Sequence, residues 1–167
     1  MAGDTKIASQ AGNGLFLSRH FQNAYTTRSL EAAVTMFGTR HGIKEFHYMR
    51  DVPFGPDATI QIALAWAGDV MIELIEPRGA AALYAGHLPA AGEVVRFHHL
   101  GHLIDSRAEY DTVCERGLAS GYPVALHGSN HGINFLYLDA RADLGHYLEF
   151  VHLDPPMANF FDAVPRN

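Results

Sequence analysis

Four polar residues fall where strands of this sequence should be buried. They are Gln22 in Phe21-Gln22-Asn23-Ala24-Tyr25, Glu73 in Met71-Ile72-Glu73-Leu74-Ile75, His99 in Phe97-His98-His99-Leu100-Gly101, and Glu149 in Tyr147-Leu148-Glu149-Phe150-Val151. Gln22 and His99 stand 77 residues apart, Glu73 and Glu149 stand 76 apart, so the pairs occupy equivalent places in a repeat. Taken singly, each reads as a strand residue satisfied by a local hydrogen bond. Taken together on one face, they read as a site for a divalent cation. A lone buried carboxylate is costly and tends to hold a proton, whereas two carboxylates neutralise an ion of charge +2. Three oxygen donors and one nitrogen suit Mg, Mn, Fe, Co, Ni or Zn and disfavour sulfur-seeking metals. Four protein ligands around an octahedral ion leave two positions open.

The elements that must position these residues repeat as well. Leu30, Ala33, Val34 and Phe37 follow helical spacing behind Ser29, an expected N-cap, with Gly42 as terminator. Tyr110, Val113 and Cys114 do the same behind Ser106, with Glu109 completing a capping box and Gly117 and Gly121 expected to end the helix. Ile60, Ile62, Leu64 and Trp66 alternate as in a strand, and Val70–Ile75, Phe97–Ile104, Ile133–Leu138 and Tyr147–Leu153 are short, β-rich and bounded by turn residues. The order strand, helix, strand, strand, strand therefore occurs twice, and such duplication decides the fold. The expected organisation is a tail over 1–15, a first βαβββ module over 16–77, a connector over 78–96, a second βαβββ module over 97–154, and a tail over 155–167. Together they form one α+β domain built on a curved mixed β-sheet. Alternation gives Ile72, Leu74, Leu148 and Phe150 to a greasy face covered by helices. Ala24 and Gly101 follow Gln22 and His99 on the other face, where their small side chains leave room for a ligand.

Composition narrows the partners. With 167 residues, 48% of them hydrophobic and 18% charged, the chain can bury a core and is not disordered. A formal net charge of -6 argues against nucleic acid and against an anionic membrane surface. The longest apolar stretch falls short of the roughly 20 residues that span a bilayer. The first residues lack the basic and apolar regions of an export signal, so a cytoplasmic protein is expected. A single cysteine, Cys114, excludes an internal disulfide framework and any multi-cysteine metal site.

The sequence resembles the vicinal oxygen chelate superfamily of glyoxalase I, methylmalonyl-CoA epimerase and the bleomycin-resistance proteins, from about residue 16 to 154. The stretch Phe97-His98-His99-Leu100-Gly101-His102-Leu103-Ile104-Asp105 is similar to the opening of the second module in epimerase-like members. Gly145-His146-Tyr147-Leu148-Glu149-Phe150 is similar to the signature of the last strand, and counting back eight residues from Leu30 lands on Gln22. The resemblance implies two paired βαβββ modules whose first and last strands supply Gln22, Glu73, His99 and Glu149 as metal ligands. It also implies metal-bound substrate oxygens and, by analogy, a homodimer. Thr26 and Pro77 stand where glyoxalase I grips glutathione, which argues against a glutathione adduct as substrate. Extradiol dioxygenases of the superfamily need two His and one Glu, and Gln22 departs from that set unless His20, expected on the same strand face, substitutes.

The chemistry so implied is proton abstraction next to a carbonyl with a metal-stabilised enolate, by an isomerase or lyase acting on a small carbonyl or acyl-thioester compound. Glu149 is the expected base and Glu73 its counterpart, with Lewis-acid support at His99 and Gln22 as a weak, exchangeable ligand. A binding or resistance protein of the same fold is the alternative, and a ring-cleaving dioxygenase a second one. Among the other histidines, His98 is expected out of phase with the metal and His102 in the core, hydrogen-bonded. His127 and His131 are expected in a glycine-rich turn at the pocket mouth. Tyr137 and Trp66 read as core or pocket wall, and Phe160 and Phe161 as a cover for a pocket or a partner subunit.

Overall fold

A computed structural model describes residues 15–167; of the amino-terminal tail, residues 1–14 lie outside the described part. The first module comprises β1 (Arg19–Thr27), α1 (Leu30–His41), β2 (His47–Pro53), β3 (Ala58–Ala67) and β4 (Val70–Gly79). A short helix, α2 (Ala82–Ala85), stands in the connector. The second module repeats the order with β5 (Val95–Leu103), α3 (Arg107–Ala119), β6 (Val124–Asn130), β7 (Ile133–Asp139) and β8 (Tyr147–Leu153), with the single turn α4 (Arg141–Leu144) before the last strand. All eight strands form one mixed sheet in the order β2-β3-β4-β1-β5-β8-β7-β6. The fold is the expected α+β one. No helix among the described residues is long and apolar enough to cross a membrane.

Local chemistry accounts for the two long helices. The Ser29 hydroxyl accepts from Ala32 N at 3.3 Å, and the equivalent Ser106 hydroxyl accepts from Glu109 N at 3.3 Å. A capping side chain of this kind contributes roughly 1 kcal/mol. Leu30, Ala33 and Phe37 pack on Ala63, Ala65, Ile72 and Leu74, while Tyr110, Val113 and Cys114 pack on Leu136, Leu138, Leu148 and Phe150. The helices thus cover one face of the sheet, each burying apolar side chains that contribute about 1.5–3 kcal/mol apiece. Gly117 does not end α3 as expected. It lies inside the helix, where a Cβ would meet Leu136 Cδ2 at 2.9 Å, so its bareness serves close helix–sheet packing.

The opposite face is concave, and two irregularities shape it. On β1, His20 pairs with His102 and Gln22 with Gly101, which leaves Phe21 as an extra residue. On β5, Ala24 pairs with His99 and Tyr25 with Phe97, which leaves His98 extra. Phe21 and His98 are themselves 77 residues apart, so the repeat carries a bulge at the same place in both modules. A bulge re-aims the side chains beside it. Simple alternation therefore fails on these strands. Phe21 and Gln22, though consecutive, both line the concave cavity. His20 lies outside the cavity, with Nε2 3.1 Å from Gln22 O and 2.9 Å from Asn23 Oδ1 and its ring beside His102.

The strands flanking the turns are longer than their composition indicates. β6 continues through Gly128 to Asn130, and only His131 and Gly132 (φ 49 and 86) make the turn to β7. Both residues have positive φ, as a two-residue hairpin turn requires. His127 consequently sits exposed on β6 with Nε2 3.8 Å from Cys114 Sγ, outside the cavity, whereas His131 lines it.

His102 is buried on the helix-covered side as expected, stacked on Phe150 at 5.2 Å, but its Nδ1 has no partner. Burial, and then the charge of His20, holds its pKa down at about 4, against 6.5 for the free imidazole. Between those values the unfolded chain takes up a proton that the folded chain refuses. Stability is therefore fully present above the unfolded pKa and falls as pH drops through the window, by up to about 1.4 kcal/mol per pH unit. Replacing His102 by Phe should make the loss of denaturant stability between about pH 6.5 and 4.5 shallower by that amount; equal slopes in the two proteins would refute the assignment.

Candidate metal centre

β4, β1, β5 and β8 are neighbours at the middle of the sheet, and their register brings the sequence-identified residues to one place. β1 pairs with β4 in parallel, setting Gln22 opposite Met71 and Ala24 opposite Glu73, and β5 pairs with β8 in parallel, setting Gly101 opposite Glu149. His99 Nε2 lies 3.0 Å from Glu149 Oε2 and 3.4 Å from Glu73 Oε2. These three ligand atoms all lie within 4.8 Å of one another. Gln22 is buried and lines the same cavity as Glu73 and Glu149, opposite Gly101. A Cβ at Gly101 would approach Gln22 Oε1 to 2.7 Å, so the glycine gives the amide its space.

The electrostatics are those of buried charge held by an opposite charge. Burial would lower the His99 pKa, but the Glu149 and Glu73 carboxylates beside it overcome that and raise it to about 9. Burial raises the Glu73 pKa, and the neighbouring imidazole offsets this in part. Yet His99 Nε2 makes no hydrogen bond of acceptable direction despite the short distances. A nitrogen aimed at neither oxygen, but near both, fits a common ligand position: donors on adjacent sites of an ion with ~2.1 Å bonds lie ~3 Å apart. The residues present therefore fit a divalent cation. One imidazole and two carboxylates do not provide the two-His, one-carboxylate set of an oxygen-activating iron, and His20 points elsewhere.

His98 contributes in a way the strand pattern hid. The bulge turns it onto His99, with the two Nδ1 atoms 2.9 Å apart, and its Nε2 lies 3.1 Å from the Leu83 carbonyl. That carbonyl only accepts, so His98 Nε2 carries the hydrogen. Burial holds the His98 pKa well below the usual range, which keeps the ring neutral and leaves its Nδ1 a bare acceptor. His99 Nδ1 must then donate, and in a neutral His99 the lone pair sits on Nε2, facing the carboxylates. A ligating histidine is commonly oriented by such a partner.

The connector supplies a further residue that sequence reading missed. Tyr84, on α2, is 4% exposed, and its hydroxyl lies 3.1 Å from that of Tyr137. The Tyr137 ring packs edge-on against His99 at 5.1 Å, and the Glu149 charge acts on its hydroxyl. Burial first, then the nearby carboxylates, pushes both phenol pKa values far up, so both remain donors. Only the alternation Leu83-Tyr84-Ala85 within an otherwise Gly-, Ala- and Pro-rich linker hinted that Tyr84 turns inward.

Residues 21–137 match the family model described as the Glyoxalase/Bleomycin resistance protein/Dioxygenase superfamily, and the chain belongs to that superfamily. No functionally curated protein matches it. Among solved structures it is similar to methylmalonyl-CoA epimerase from Mycobacterium tuberculosis, with 15% identity and a TM-score of 0.62 over 83% of this chain and 90% of that one. It is also similar to a methylmalonyl-CoA epimerase in complex with methylmalonyl-CoA and NH4+, at 16% identity, a TM-score of 0.59 and coverage of 83% and 96%. A hypothetical protein from Bacillus halodurans has 19% identity and a TM-score of 0.58, over 82% of this chain and 95% of that one. At these identities the likeness concerns the fold.

Replacing His98 by Phe should weaken divalent-cation binding by about ten- to a hundredfold, measured by calorimetric titration. His98→Gln, whose amide can accept from His99 and donate to Leu83, should restore most of it. Unchanged affinity in His98→Phe would overturn the tautomer argument.

Proposed function

We propose that this protein is a divalent-metal-dependent isomerase or lyase that moves a proton next to a carbonyl, on a carbonyl or acyl-thioester substrate. The observation that carries the reading is the buried Glu73–His99–Glu149 cluster, open to a cavity through its two carboxylates. Gln22 is proposed as the fourth, exchangeable ligand. Membership of the superfamily and the fold shared with epimerases support the same class of chemistry.

Glu73, His99, Glu149 and Gln22 would hold a divalent ion, which would supply Lewis acidity at the carbonyl and so make the neighbouring C–H more acidic. The chain's own groups do the rest. Glu149 would take the proton from the carbon next to the carbonyl. Glu73, whose proton affinity burial raises, would take up a proton from water and return it to the carbon from the other module. Tyr84 and Tyr137, kept protonated and paired through their hydroxyls at the buried end of the cavity, would donate a hydrogen bond to the substrate oxygen. His99 stays fixed by His98 and moves no proton.

The expected outcome in deuterated water is metal-dependent incorporation of deuterium at the α-carbon, followed by NMR. In Glu149→Gln with the metal still bound, exchange should fall by about 100-fold or more; retention of the full rate would remove Glu149 from the role of base. Glu73→Gln and His99→Ala should each lose cation binding, seen as a lost thermal shift on adding the metal.

A further inference from the structure

We propose that the cavity above this centre takes a neutral, hydrophobic, ring-bearing carbonyl compound in preference to a thioester that carries phosphates. The carbonyl in that statement rests on the proposed function; the remainder rests on the walls.

The cavity holds about 800 Å3, enough for a drug-sized ligand. Its polar groups separate into two ends. Glu73, Glu149, Tyr84 and Tyr137 form the buried end. The exposed end carries Arg50, Asp51, Asn130 and His131 on or beside the edge strands. Between the ends the surface is aliphatic and aromatic, with Ile60, Ile62 and Leu64 on β3 facing Ile133 and Phe135 on β7. Apolar walls of this extent bind by excluding water, and aromatic rings add edge and stacking contacts for a ring-bearing ligand.

The carboxy-terminal tail completes this surface. Met157, Phe160 and Phe161 line the cavity, and Phe161 packs on Phe21 with ring centroids 5.2 Å apart. The tail is fastened at and just beyond these rings. Trp66 Nε1 donates to Phe161 O at 3.3 Å, Trp66 N donates to Pro165 O at 2.8 Å, and Val164 is 3% exposed. The Arg166 guanidinium covers the Trp66 ring at 4.8 Å. The aromatic wall is therefore built into the fold.

Charge decides against the phosphate-bearing alternative. Coenzyme A thioesters present a diphosphate and a further phosphate, which proteins hold with several Arg or Lys side chains. Among the described residues lining the cavity, Arg50 is the one such cation, its guanidinium lying over the Tyr48 ring, and the Asp51 carboxylate pairs with Arg78 at 3.8 Å. A mouth lined by one guanidinium offers too little positive charge for a polyanion and does not repel a neutral ligand.

The test uses the full chain, first freed of metal, with 2-acetylnaphthalene and propionyl-CoA as probes in calorimetric titrations. The neutral ketone should bind at least about tenfold more tightly than the thioester. Phe160→Ser should weaken ketone binding by about fivefold or more, while Arg50→Ser leaves it within about twofold. Tighter binding of propionyl-CoA, its loss in Arg50→Ser, or no binding of the ketone would each overturn the proposal. With metal restored, deuterium exchange into the two probes separates the claims. Ketone binding without exchange into either compound sinks the proposed reaction and leaves the cavity assignment standing; exchange into propionyl-CoA with no ketone binding does the reverse.

Discussion

Two carboxylates and an imidazole are buried together at the centre of the sheet, and the rest of the molecule is arranged around that fact. His99 is fully buried, and the Glu73 and Glu149 side chains are only 13% and 10% exposed. Removing such charges from water costs several kcal/mol per ion unless opposite charge and good geometry offset it. With His99 protonated the cluster still carries one excess negative charge. The proposed cation would replace that proton with two positive charges and give Nε2 the partner it lacks. A polar cluster of this kind is tolerated only where the surrounding walls are rigid, and helices α1 and α3 pin the central strands from behind through the two cores they share with them.

The paired bulges translate the duplication into a site. In each module one extra residue, Phe21 or His98, enters the first strand just before the polar residue that faces the cavity. The extra residue is apolar in one module and an imidazole in the other. Phe21 consequently becomes cavity wall, while His98 becomes the partner that fixes the His99 ring. Near-symmetric backbone geometry thus serves two different purposes, because the side chains at equivalent positions have diverged. The same divergence sets Gly101 opposite Gln22, where any side chain would occupy the amide's space.

Much of this was legible in the residues. The 77-residue shift relating Ser29 to Ser106 and Gln22 to His99 announced two βαβββ modules, and Ile72 and Leu74, like Leu148 and Phe150, marked the covered face. Other features were hidden. The contact of His98 with His99 was hidden because alternation assumes a strand without extra residues, and only the pairing partner reveals a bulge. Gly117 looked like a helix end, since a glycine's role depends on what would meet its Cβ. His127 and Gly128 looked like turn residues because β6 is an exposed edge strand of polar composition. Tyr84 lay in a segment whose small residues carry no period.

The sequence by itself determined the duplicated element order, the helix caps, the greasy faces and the equivalent repeat positions of Glu73, His99 and Glu149 on their strands. Those properties are local, or follow from a shift along the chain. The tertiary structure alone decided that the bulges turn His98 onto His99, that Tyr84 meets Tyr137 at the buried end of the cavity, and that the tail builds an aromatic wall over the cavity. Each of these depends on which strand lies beside which and in what register, and contacts between residues distant in the chain leave no periodic trace along it.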